Sequence, residues 1–177
     1  MSGDAALTSA GIGRRFGAML YDSLILVGIL IVATFPFLPF LHGRVLVPRE
    51  VGALAYLYWL WELVLVTAFF VFFWTRRGQT LGMLAWRLRI QRADGGDVSW
   101  RDAIRRLALV AALLIPAPAG YQLIWREWSD ADARTLATAV ALLPFLTAYF
   151  WIRIDRDRLA WHDRWSGTRV IVLPKKV

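Results

Sequence analysis

The chain contains no cysteine, which excludes disulfides and thiolate metal sites. Its only histidines are His42 and His162, too few for a zinc enzyme of the usual kind. No metal ligand set and no cofactor motif is apparent. The opening MSGDAALTSAGIGRR lacks the short cationic segment, modest apolar core and small-residue cleavage site of an export signal. Insertion is therefore expected to be internal and uncleaved. The net charge of +8 comes without any nucleic-acid-binding motif. The basic residues flank apolar runs instead, the pattern of topology signals and of contacts with anionic lipid headgroups. Nucleic acid is not an expected partner; a lipid bilayer is.

What the chain has in abundance is apolar surface. It is 58% hydrophobic with a mean hydropathy of +0.49, whereas soluble domains run at about 45–50% apolar. Residues 16–40 and 51–74 are each long enough to cross a bilayer core as a helix. Residues 107–125 form a third run, broken late by Pro116, Pro118 and Gly120, and residues 136–152 a fourth with Pro144 inside. Four transmembrane helices in one membrane domain over 1–177 are expected. Even-numbered spanning places both termini, the connection 75–106 and the tail 153–177 on one side, with seventeen of the basic residues against four opposite. That asymmetry predicts cytoplasmic termini in a cell (inner) membrane protein. Trp74, Trp125, Trp128 and Trp151 fall at predicted span ends, where they read as interfacial anchors rather than a ligand site.

Two acids interrupt the apolar runs, Asp22 in the first and Glu62 in the second. Seven residues of helix bring Arg15 to within about 20° of the Asp22 face, whereas Arg14 lies about 80° round. Intramembrane acids face a bundle interior, pair with something, or line a pathway. Arg15 is thus a candidate partner that neutralises Asp22 and fixes packing. If Asp22 and Glu62 approach one another, repulsion in low dielectric leaves a proton to exchange, the basis of a cation pathway.

The connection 75–106 is too long to be structureless. Gly78 suits a C-cap and Thr80 a helix start. Trp86–Gln91 alternates apolar and basic residues as a strand does, and 93–97 reads as a turn. Ser99 opens an interfacial amphipathic helix with Asp102 as its capping-box partner; Trp100, Ile104 and Leu107 share one face. Thr168–Leu173 follows the Ser166-Gly167 turn signal as a second strand. The expected fold class is all-α integral membrane, with a small cytoplasmic two-stranded β ribbon packed against the bundle.

In series these landmarks resemble the RDD family, named for one arginine and two aspartates. Arg14-Arg15-Phe-Gly-Ala-Met-Leu-Tyr-Asp22 resembles its first-helix motif. Gly78-Gln79-Thr80-Leu81-Gly82 resembles its glycine-glutamine-threonine loop. Leu159-Ala160-Trp161-His162-Asp163-Arg164, with Ser166-Gly167-Thr168, resembles its closing motif. The resemblance places the naming residues on Arg15, Asp22 and Asp163. A lysine that the family often carries after the second loop glycine is replaced here by Met83. The resemblance implies a multi-pass membrane protein and transport of unidentified ligands.

His162-Asp163 has no motif-bound serine or cysteine nucleophile, so no enzyme is expected. Asp163 is expected to pair with an arginine such as Arg77 or to cap a turn near the strand. Asp155 and Asp157, alternating with Arg153, Arg156 and Arg158, read as a solvated juxtamembrane stretch. Two function classes follow. One is a transporter or transporter component, proton-coupled through Asp22 and Glu62 with Arg15 as partner; four spans make a narrow bundle, so it would form a homo-oligomer. The other is a non-transporting scaffold that stabilises a membrane protein partner.

Overall fold

The computed structural model describes residues 8–114 and 131–174. Helix α1, Ile12–Thr34, follows an extended Gly11 and runs through the short turns Phe35–Phe37 and Leu38–Leu41 to make a 30-residue apolar stretch. Helix α2, Ala53–Arg77, ends where Gly78 turns left-handed at φ +64°. These are the two helices, among the described residues, with the length and composition to cross a membrane. Their most apolar windows are only 6% and 11% buried within the chain. Leu24, Ile31, Leu57 and Leu63 all point outward. A helix that is apolar all round yet uncovered by protein suits a lipid surrounding.

The expected third span divides. Residues 107–114 complete helix α4, Trp100–Leu114, and 115–125 lie outside the described residues, as do Trp125 and Trp128. Helix α5, Ala131–Phe150, covers most of the expected fourth span and continues through Pro144; its apolar portion, Thr138–Arg153, is shorter than the two spanning helices.

The remaining elements gather at one end. They are α3 (Leu81–Ala85), strand β1 (Leu88–Arg92), α6 (Trp161–Ser166) and strand β2 (Thr168–Val172). The strands pair antiparallel, Leu88 opposite Val172 and Arg92 opposite Thr168, within two residues of the expected bounds. The ribbon is not alone. Ser9 bridges Ile171, with Ala10 N–H donating to Val170 O and Val172 N–H to Thr8 O, so β2 is flanked on both sides. A bare two-stranded ribbon is marginal; here Leu88, Ile90 and Val170 close a core with Ala18, Trp74, Met83 and Ala103.

Two expectations are corrected at this core. Trp74 is 8% exposed and belongs to it, not to the interface, because Arg106 lies over its ring with 5.6 Å to the centroid. Trp151 remains exposed, as an anchor would. On α4 the inward face is Ala103 and Arg106, with Leu107 packed against the core, while Trp100 and Ile104 are exposed apolar groups. The Ser99–Asp102 box is present: Ser99 N–H donates to Asp102 at 3.0 Å and Asp102 N–H to Ser99 Oγ at 3.3 Å.

Candidate functional site

The motif residues occupy the junction between the apolar helices and the ribbon. The stretch from Gly78 to Gly82 is held by local chemistry. The left-handed glycine ends α2, and its carbonyl accepts from Ile90 N–H at 2.7 Å. Gln79 Nε2 donates to Leu88 O at 2.6 Å. Thr80 caps α3 by accepting from Met83 N–H at 3.2 Å. Its hydroxyl donates to Asp22 Oδ2 at 2.5 Å, and Gly82 N–H donates to Asp22 Oδ1 at 2.8 Å. Both oxygens of Asp22 therefore serve one helix start. A Cβ on Gly82 would stand 2.2 Å from Ala18 O, so only glycine lets α3 approach α1 this closely. Met83 is buried in the core.

Arg15 turns elsewhere. Its Nη1 lies 2.5 Å from Asp163 Oδ2, while Nε donates to Ala10 O at 2.9 Å and Nη2 to Arg158 O at 3.4 Å. The expected Arg15–Asp22 pair is thus replaced by two separate sites on one helix. From the other side, Arg106 Nη1 stands 2.5 Å from Asp163 Oδ1 and donates to Thr168 Oγ1 at 2.6 Å. The arginines that pair with Asp163 are Arg15 and Arg106, not Arg77. The alternative role also holds, since Asp163 Oδ2 accepts from Ala160 N–H at 3.2 Å and caps α6. Gly167, at φ +67°, ends that helix, and Ser166 Oγ lies 2.8 Å from Thr168 Oγ1.

This cluster is buried: Arg15, Arg106, His162 and Asp163 are all at most 5% exposed. Burial alone would raise the Asp163 carboxyl, but Arg106, Arg15 and then His162 hold it well below the carboxylate range. Burial, reinforced by Arg106, lowers His162 to about 3, so the imidazole is neutral near pH 7. Its Nε2 is 3.5 Å from Asp163 Oδ1, and its Nδ1 has no hydrogen-bond partner. Two guanidiniums against one carboxylate leave the cluster with an excess positive charge.

Glu62 forms a third, distinct site. Tyr58 donates a short hydrogen bond to it, and the Tyr58 hydroxyl lies 3.1 Å from Thr34 Oγ1 at the far end of α1. The structure gives Asp22 and Glu62 different partners and does not bring them together. Arg14 is exposed. Sequence reasoning missed Arg106 and Tyr58. The i, i+4 spacing of Tyr58 and Glu62 was a usable signal; Arg106 offered none beyond following Ala103 by one helical turn.

Lipid-facing helices closed at one end by a polar, strand-capped junction define a helical membrane protein. The chain matches the family model described as RDD family over residues 9–167 and belongs to that family. No curated protein and no solved structure matches it.

Proposed function

We propose that this RDD-family chain is a non-catalytic, multi-pass module of the cell membrane that stabilises a membrane protein partner, with its ribbon and termini in the cytoplasm. One observation carries this reading: Arg15, Asp22 and Asp163 are used up in contacts that hold α1 to α3 and α6. The apolar flanks of α1 and α2 remain open to a neighbour. A buried carboxylate with both oxygens committed to a helix cap is poorly placed to exchange ions.

The test is purification in mild detergent of wild type and Asp22→Asn. A stoichiometric membrane partner, lost together with protein abundance in the variant, is the expected result. A clean homo-oligomer would count against it.

A second reading, proton-coupled cation exchange, draws support from Thr34, Tyr58 and Glu62, a hydrogen-bonded string linking two spanning helices. On this reading Glu62 takes the titrating role and Asp22 a structural one. Proton flux driven by Na⁺, K⁺ or Li⁺ gradients in proteoliposomes, abolished by Glu62→Gln in folded protein, would establish it and displace the module reading.

A further inference from the structure

A cleft opens beside the Arg15–Asp163–Arg106 cluster, between the start of α1 and the turn Trp151–Arg153 that follows α5. It encloses about 510 Å³ and is lined by the Gly11–Gly13 segment, Phe150, Ile152, Arg153 and Arg158. A second cavity shares Gly11, Gly13 and Arg158 with it and adds Arg14. The composition is two-sided, with phenylalanine and isoleucine against arginines.

The juxtamembrane charges are not simply solvated. Asp155 and Asp157 are both drawn to Arg164, at 2.7 and 3.4 Å, and Asp155 also accepts from Leu159 N–H at 3.0 Å. No carboxylate of the described residues pairs with Arg14, Arg153 or Arg158, and all three are exposed. Arg158 also adopts φ +55°, a left-handed conformation costly for an arginine. That conformation accompanies a carbonyl bonded to Arg15 and a side chain at both cavities. Strain of this kind, held by surrounding structure, clusters at ligand sites. Behind the wall, the excess positive charge of the buried cluster adds to the field.

We infer that this cleft binds the phosphate group of an anionic phospholipid. Arg153 and Arg158 meet the phosphate, while the exposed Phe150 ring meets the glycerol and upper acyl carbons. Its location selects a lipid over a free phosphate. It lies where the exposed apolar walls of α1 and α5, including Phe16 and Phe150, give way to the ribbon, and Trp151 stands beside it. The inference is independent of whether the protein serves a partner or a flux.

Native mass spectrometry of the delipidated full chain in detergent, titrated with phosphatidylglycerol or phosphatidylcholine of the same acyl chains, tests it. Phosphatidylglycerol is expected to bind about tenfold more tightly or better. Arg153→Gln should weaken it by about fivefold, and Arg153→Gln with Arg158→Asn by about thirtyfold, as two near-surface arginines would. Arg101→Gln, an exposed arginine on α4, should change nothing. Arg153→Gln alone keeps the test valid if the Arg158 change lowers folding. Equal binding of the two lipids, or an equal loss with Arg101→Gln, overturns the site. Displacement of the lipid by millimolar inorganic phosphate overturns the lipid as its source.

Discussion

The polar start of α1 and its apolar middle are held by opposite means. Near the ribbon the Arg15 guanidinium and both Asp22 oxygens have named partners, and the packing is close enough to forbid a Cβ at Gly82. From Leu24 on, the outward face differs: Leu24, Val27 and Ile31 are more than half exposed and touch little protein. Lipid tails are as apolar as leucine, so burying these residues against another helix gains little. At the ribbon end, by contrast, buried ions hold the elements in place, with Asp163 lying between Arg15 and Arg106. The fold is therefore specified by polar chemistry at its border, and the apolar shafts follow.

The sharpest way to break this contrast is Asp163→Asn. It leaves Arg15 and Arg106 buried together without their carboxylate, and removing one partner of a buried ionic group costs about 3–5 kcal/mol. Loss of the monodisperse folded peak in detergent is expected, with partial recovery when Arg106→Gln is added. Full stability of the single variant would refute the ionic account.

Acid should reach the same end of the molecule. The His162 pKa falls from an unfolded value of about 6.5 to about 3 in the fold. Between those values the unfolded chain takes up a proton that the folded chain refuses. Stability is thus retained above pH 6.5 and lost on acidification, by up to about 1.4 kcal/mol per pH unit. Asp163, held low, adds to the loss below about pH 4. Thermal midpoints in detergent should fall less steeply between pH 6 and 4.5 in His162→Gln; coincident slopes would remove His162 from the explanation.

Asp22→Ala strands the Thr80 hydroxyl and Gly82 N–H, at a cost of about 1.5–3 kcal/mol for bonds to a charged acceptor. Asp22→Asn keeps one acceptor and should lie between the variant and wild type. If thermal unfolding shows Asn and Ala to be equal, the two bonds do not act separately. The smallest effect belongs to the lipid-facing wall. Leu24→Ala, at a side chain 67% exposed, should shift unfolding by less than about 0.5 kcal/mol. A larger shift would mean that this wall is covered by protein.

What the sequence revealed was local. Gly78 as a cap, Thr80 and Ser99 as helix starts, both strands and the Asp163 cap each depend on neighbours within a few residues. Helical spacing correctly put Arg15 near the Asp22 face but could not say which side chain would reach it. Arg15 finds its carboxylate 148 residues away, and Arg106 finds its hydroxyl 62 residues away. No periodicity reports such partners. Arg106 also looked like one more topology charge, because seven other arginines share its connection. The motif resemblance named Arg15, Asp22 and Asp163 without showing that only the first and last meet.

The distance between Arg15 and Asp163 also orders events in time. A ribosome delivers α1 with its arginine long before the matching carboxylate has been made. Until then the guanidinium must stay hydrated at the membrane border, as a long side chain near a helix end can. Only when Asp163 and β2 have been made can the arginine be capped and the strand be taken up between residues 8–10 and β1. A chain halted before Asp163 would keep both a bare cation and an open strand edge.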